Sequence, residues 1–92
     1  MPVVLKGYIL VPPSELSVVQ EALAQHVELT RCEAGCISFD VTQDADDETK
    51  FHVHEVFRSK DDFDFHQRRA QSSPWAEVSK NVLRHYDPLT TE

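Results

Sequence analysis

Glu55 and His66 are the residues of this chain whose types and placement could move a proton. An imidazole changes charge nearest neutral pH, so a histidine in a closed setting is the first candidate for general acid–base work. His66 shares a helical face with Phe63 and Ala70, and an apolar setting there would favour its neutral, basic form. A packed helix histidine bonded to a backbone carbonyl accounts for the position equally well, and both readings stay open. Glu55 lies in the alternating run Phe51-His52-Val53-His54-Glu55-Val56-Phe57, on the side of Phe51, Val53 and Phe57. A lone carboxylate on that apolar face would be costly, so Glu55 should meet His66, an arginine, a structural hydrogen bond or a subunit interface.

Other clusters carry less chemistry. His52 and His54 point to the opposite side of the same run and form a two-ligand pair with no third His or Cys at a fixed local spacing, so no metal site is read there. Asp44, Asp46 and Glu48 imitate the start of a calcium loop, but Thr49 stands where that loop needs glycine, and the segment reads as a solvated hairpin connection. There is no glycine-rich phosphate loop, no Ser-His-Asp signature and no Cys-His motif, which leaves nucleotide, flavin and acyl-enzyme mechanisms without support. Tyr8, Phe39, Phe63, Phe65 and Trp75 are core-sized rings. If the helix face carrying Phe63, His66 and Trp75 stands off the sheet, the gap would admit a flat aromatic molecule.

The elements that must position these residues follow from periodicity. Val3 to Val11 is a β-rich run ended by Pro12-Pro13, and Ser14 is a plausible N-cap for a helix to about Arg31, with Leu16, Val19, Leu23, Val27 and Thr30 on one face. Cys36 to Thr42 alternates as a strand, with Ile37, Phe39 and Val41 on one side, and Phe51 to Phe57 is the next. Ser59 and Asp62 form a capping box for the helix bearing His66, Pro74 restarts helical structure with Trp75 and Val78 pointing the same way as Phe63 and His66, and Val82 to Tyr86 is the last strand. The order is β-α-β-β-α-β, an α+β, ferredoxin-like antiparallel sheet with both helices on one face. Strand one carries Val3, Leu5 and Ile9 on one side and Val4, Tyr8 and Leu10 on the other. Helices cover only one side, so the other calls for a second sheet, as in a dimeric α+β barrel.

The 92 residues suffice for one domain, residues 1–92, whose short core makes a homodimer the expected state. A net charge of −7 without a Lys/Arg cluster excludes a nucleic-acid partner. No apolar stretch approaches a membrane span or a signal peptide, and the chain reads as cytoplasmic. Cys32 and Cys36 match neither a redox nor a zinc spacing and are expected to be free thiols, one or both buried.

Glu33-Ala34-Gly35-Cys36-Ile37-Ser38-Phe39, the run from Phe51 through Ser59, and His66 with Ser73 after it resemble the antibiotic biosynthesis monooxygenase domain over nearly the whole chain. The resemblance implies a dimeric α+β barrel that oxidises a quinol, phenol or polyketide-type aromatic with O2 and no cofactor. His66 would be the base, oriented by Glu55, both at family motif positions. Phe39, His54, Phe63 and Trp75 are expected as substrate-binding walls from the way they face. Haem-degrading relatives carry an Asn on strand one, a Trp on helix two and a His about ten residues on. This chain has no such Asn, His66 near the Trp and Ala76 near the His, so haem is not expected. Other relatives act on small phosphorylated signals without oxygen, which keeps an isomerase or lyase, or a non-catalytic binding dimer, as alternatives.

Overall fold

A computed structural model describes residues 1–92. Strand β1 (Val3–Leu10) runs through a 3-10 turn (Pro13–Glu15) into α1 (Leu16–Arg31). Strands β2 (Cys36–Gln43) and β3 (Lys50–Phe57) form a hairpin, followed by α2 (Lys60–Gln71), the short α3 (Pro74–Val78), β4 (Leu83–Tyr86) and β5 (Thr90–Thr91). All strand pairs are antiparallel, in the order β2-β3-β1-β4, with β5 beside the start of β1. This is the ferredoxin-like α+β arrangement read from periodicity, with β5 added. No helix is long and apolar enough to cross a membrane.

Strand β3 shows why the helices occupy one face. Phe51, Val53, Glu55 and Phe57 are buried, whereas His52 and His54 are exposed on the other side. Register sets Glu55 between Leu5 on β1 and Phe39 on β2. Two apolar clusters result. One gathers Ile9, Val11, Val19, Leu23, Phe51, Val53 and Val82; the other gathers Val3, Leu5, Phe39, Phe57 and Phe63. Glu55 falls between Val53 of the first cluster and Phe57 of the second.

Local departures from the sequence reading have local causes. Register passes from Cys36↔Phe57 to Ser38↔Val56, so Ile37 is the extra residue of a β-bulge and is 54% exposed rather than inward with Phe39. Ser14 is not the N-cap of α1, because Pro13 first starts the 3-10 turn and the residue before α1, Glu15, makes no side-chain cap bond. The expected capping box of α2 is present: Ser59 Oγ accepts from Asp62 N at 3.1 Å and donates to Asp62 Oδ2 at 3.0 Å. In the hairpin connection Asp44 Oδ2 accepts from the backbone N–H of Asp46 and Asp47, so that carboxylate shapes the turn. Both cysteines are free; Cys32 is exposed and Cys36 half-buried, so neither is fully enclosed. The pair of threonines in β5 has no apolar alternation to mark it, and only pairing with Val3 and Val4 makes it a strand.

Gly7 decides how closely β4 lies on β1. A Cβ there would run into the carbonyl oxygen of His85 and come within 2.7 Å of Tyr86 Cα. Backbone cannot swing aside as a flexible side chain does, so Gly7→Ala should lower stability by about 1–3 kcal/mol. A denaturant midpoint equal to wild type would show that β4 is not held in this way.

Candidate active site

His66 is delivered by α2, whose capping box fixes the start of the helix. Its partner Glu33 comes from the connection between α1 and β2. That connection passes tightly over the first turn of α2, because a Cβ on Gly35 would collide with the Asp62 side chain. Glu33 is thereby pressed inward, with its side chain only 7% exposed. Arg69, one turn beyond His66, donates from Nε to Glu33 Oε2 and from Nη2 to Thr30 Oγ1 at 2.9 Å. Thr30 is fully buried and itself donates to the carbonyl of His26 at 2.7 Å.

These contacts set the tautomer of His66. Its Nδ1 lies 3.3 Å from both carboxylate oxygens of Glu33. A carboxylate paired with Arg69 can only accept, so the imidazole proton sits on Nδ1 and the lone pair on Nε2. Nε2 faces Glu55 Oε1 at 3.9 Å, too far for a hydrogen bond. Burial pulls the His66 pKa below its ordinary value, and the hydrogen bond to Glu33 only partly opposes it. Burial, then the charge of Glu33, pushes Glu55 up to about 8, so its carboxyl is mainly protonated at neutral pH. Glu55 Oε1 has no hydrogen-bond partner. His26 is lowered to about 4, chiefly by burial. Its ring stacks on Trp75 at 5.2 Å and stands 5.6 Å from that of His66.

A cavity of about 270 Å³ opens on this group. Its walls include Leu5, His26, Glu55, His66 and Trp75, and its remaining lining comes from α2, α3 and β4, including Gln67, Gln71, Arg84 and Tyr86. Of the residues singled out in the sequence, His66, Glu55 and Trp75 are brought together here. Phe39 does not line the cavity; it packs behind it, with its ring centroid 5.6 Å from that of His66. Phe63 lies further back against Phe57. His54 is on the outer sheet face and does not reach the cavity, because the strand alternation that turns Glu55 inward turns its neighbour outward. Glu33, rather than Glu55, holds His66 by hydrogen bond.

Sequence reasoning missed His26, Glu33, Arg69, Arg84 and Tyr86. His26 had a usable signal, since it falls three residues after Leu23 and four before Thr30 on the stripe that α1 buries. Arg69 follows His66 by one turn of α2, but its partner Glu33 comes from a loop, and Arg84 and Tyr86 come from β4, so no local spacing encodes their meeting.

The Glu55 carboxyl gives stability a definite pH dependence. Its pKa is about 8 in the fold against an ordinary 4.5, so between these values the folded chain binds more protons than the unfolded one. Stability present at low pH is therefore lost as pH rises through that window. Glu55→Gln, neutral throughout, should remove this loss, so the Tm of wild type should fall relative to the variant as pH climbs from about 4.5 to 8. Parallel Tm curves would show that Glu55 is already ionised in the fold. His26 acts on the acid side with the opposite sign, its contribution being lost as pH drops from 6.5 towards about 4.

The antibiotic biosynthesis monooxygenase family profile matches residues 2–78. A solved structure from Nitrosomonas europaea, described as a putative antibiotic biosynthesis monooxygenase, is 24% identical with a TM-score of 0.84, covering 100% of this chain and 98% of that one. One from Deinococcus radiodurans under the same description is 16% identical with a TM-score of 0.78, covering 100% and 92%. A conserved protein from Methanosarcina mazei is 16% identical with a TM-score of 0.85, covering 100% and 93%. At such identities these likenesses establish the fold alone. No curated protein matches the sequence. The profile match spans Glu33, Glu55, His66, Arg69 and Trp75, and the chain belongs to the antibiotic biosynthesis monooxygenase family.

Proposed function

We propose that this chain is a cofactor-free monooxygenase of a small quinol or phenol. The observation that carries the reading is a buried imidazole whose Nδ1 is held by Glu33, whose Nε2 is turned to Glu55 at 3.9 Å, and whose residue lines a cavity of about 270 Å³. Nε2 takes the phenolic proton, and the imidazolium that forms is stabilised by the Glu33 carboxylate on its other nitrogen. The electron-rich anion then passes electrons to O2. For a hydroquinone, one oxygen atom enters the ring, the other leaves as water, and the product is the hydroxyquinone. The substrate supplies every electron, and the protein supplies deprotonation and a site shielded from water. A protonated Glu55 suits this chemistry, because a second anion beside the ring would oppose formation of the first.

Cavity size favours one or two fused rings. A void of roughly 150 Å³ holds benzene, so about 270 Å³ takes a substituted ring or a naphthalene and leaves little room for a three-ring polyketide. The neutral imidazole and protonated carboxyl at 3.9 Å also support a second reading, oxygen-independent enolisation of a small carbonyl compound. Turnover under nitrogen would select it.

The reading includes a homodimer closed through the outer sheet face, where Tyr8, His52, His54 and Leu83 are covered by no helix. Sedimentation equilibrium should return twice 10.5 kDa at micromolar concentration; a single-chain mass would remove the dimer.

Oxygen uptake on hydroquinones, naphthols and anthrones tests the activity. Hydroquinones and naphthohydroquinones should be consumed and anthrones rejected. His66→Ala should cost about 10²–10⁴-fold in kcat/KM, and uptake indifferent to that substitution would take His66 out of the mechanism. Activity should fall on the acid side below pH 6.5, as His66 gains a proton, and on the alkaline side near pH 8, as Glu55 loses one. Glu55→Gln should abolish only the alkaline limb.

A further inference from the structure

Arg84 stands apart from the other cations around the cavity. It lines the cavity and is exposed, which places it at the rim. Arg69 is paired with Glu33, but no carboxylate lies within ion-pair distance of Arg84. Its partners are neutral oxygens. Nη2 donates to Ser79 Oγ at 2.8 Å, and Nη1 donates to the carbonyls of Ser79 and Val82, each at 3.3 Å. Ser79 is fully buried, so the guanidinium is tied to a fixed point while some of its five N–H groups stay free. The other titratable walls, His26, Glu55, His66 and Tyr86, are held mainly neutral at pH 7. Arg84 is then the net charge of the lining. In a chain of net charge −7, any attraction for an anion at this cavity has to come from a local cation, and Arg84 is unpaired and anchored at the rim. Arg84 lies outside the matched residues 2–78, so the family profile does not account for it.

We propose that Arg84 forms a subsite for an anionic substituent, so that the cavity prefers dihydroxyaromatic compounds bearing a carboxylate over neutral ones. The subsite rests on the reading of the cavity as a hydroxyaromatic site. A carboxylate at Arg84 would anchor the ring at the rim and present its hydroxyl inward to His66 and Glu55. Planar guanidinium-to-carboxylate pairing supplies orientation as well as attraction.

Trp75, the single tryptophan, lines the same cavity and reports binding by fluorescence. Affinities for hydroquinone and for 2,5-dihydroxybenzoate, measured under nitrogen, should differ about tenfold in favour of the carboxylate, the size of one charge-assisted contact. High salt should shrink that ratio. Arg84→Gln should bring it to about one, and Arg84→Lys should retain part of it. Equal affinities in the wild type, or a ratio that Arg84→Gln leaves intact, would overturn the subsite and leave the monooxygenase reading standing. An Arg84-dependent ratio with no oxygen uptake on either compound would keep the subsite and remove that reading. If neither compound perturbs Trp75 and equilibrium dialysis likewise finds neither bound, the subsite is overturned, and oxygen uptake alone decides the monooxygenase reading. Should Arg84→Gln fail to fold, the wild-type ratio and its salt dependence still decide.

Discussion

The carboxylate of Glu33, taken out of water between α1 and β2, is the constraint around which the centre of this molecule is arranged. A buried charge is tolerable only with an opposite charge and donors directed at it. Arg69 supplies the charge, and the Nδ1–H of His66 supplies a further donor. Arg69 in turn reaches Thr30, and Thr30 the carbonyl of His26, so α1, α2 and the connection after α1 are tied through one polar chain. Truncating one member of such a pair typically costs about 3–5 kcal/mol, because the other is left charged and alone.

The arrangement has a price in a domain of 92 residues. Its apolar interior is split into two clusters, and Glu55, His26 and His66 occupy space that aliphatic side chains would otherwise fill. Glu55 Oε1, Glu33 Oε1 and His26 Nδ1 are buried without a hydrogen-bond partner. Unsatisfied groups of this kind are uncommon in native interiors and concentrate where a site trades stability for chemistry. Here they stand where an imidazole held by Glu33, the carboxyl of Glu55 and a cavity lie side by side. Gly7 and Gly35 make the geometry attainable, the first admitting β4 and the second bringing Glu33 over the start of α2.

Local patterns carried the element order, the facing of β3, the capping box of α2 and the placement of Glu55 and His66 on buried faces. All of these follow from side-chain period and terminal chemistry, which are properties of short segments. Phe39, Phe63 and His54 show the limit of such patterns. An inward-facing ring is equally at home in solid core or at a cavity wall, and only the packing of neighbouring helices separates the two. For His54, strand alternation already assigned the outer face, and the expected wall role conflicted with it.

The sequence by itself determined the fold and put His66 and Glu55 on buried faces, because apolar periodicity and the cost of a charge on an apolar face act within single elements. Tertiary structure alone decided that Glu33 orients His66, that Arg69 neutralises Glu33 and that Arg84 stands unpaired at the rim. Glu33 and His66 are 33 residues apart in the chain, Glu33 and Arg69 36. Electrostatic partnership depends on distance and solvent exclusion, and neither exists until the sheet and helices have closed on one another.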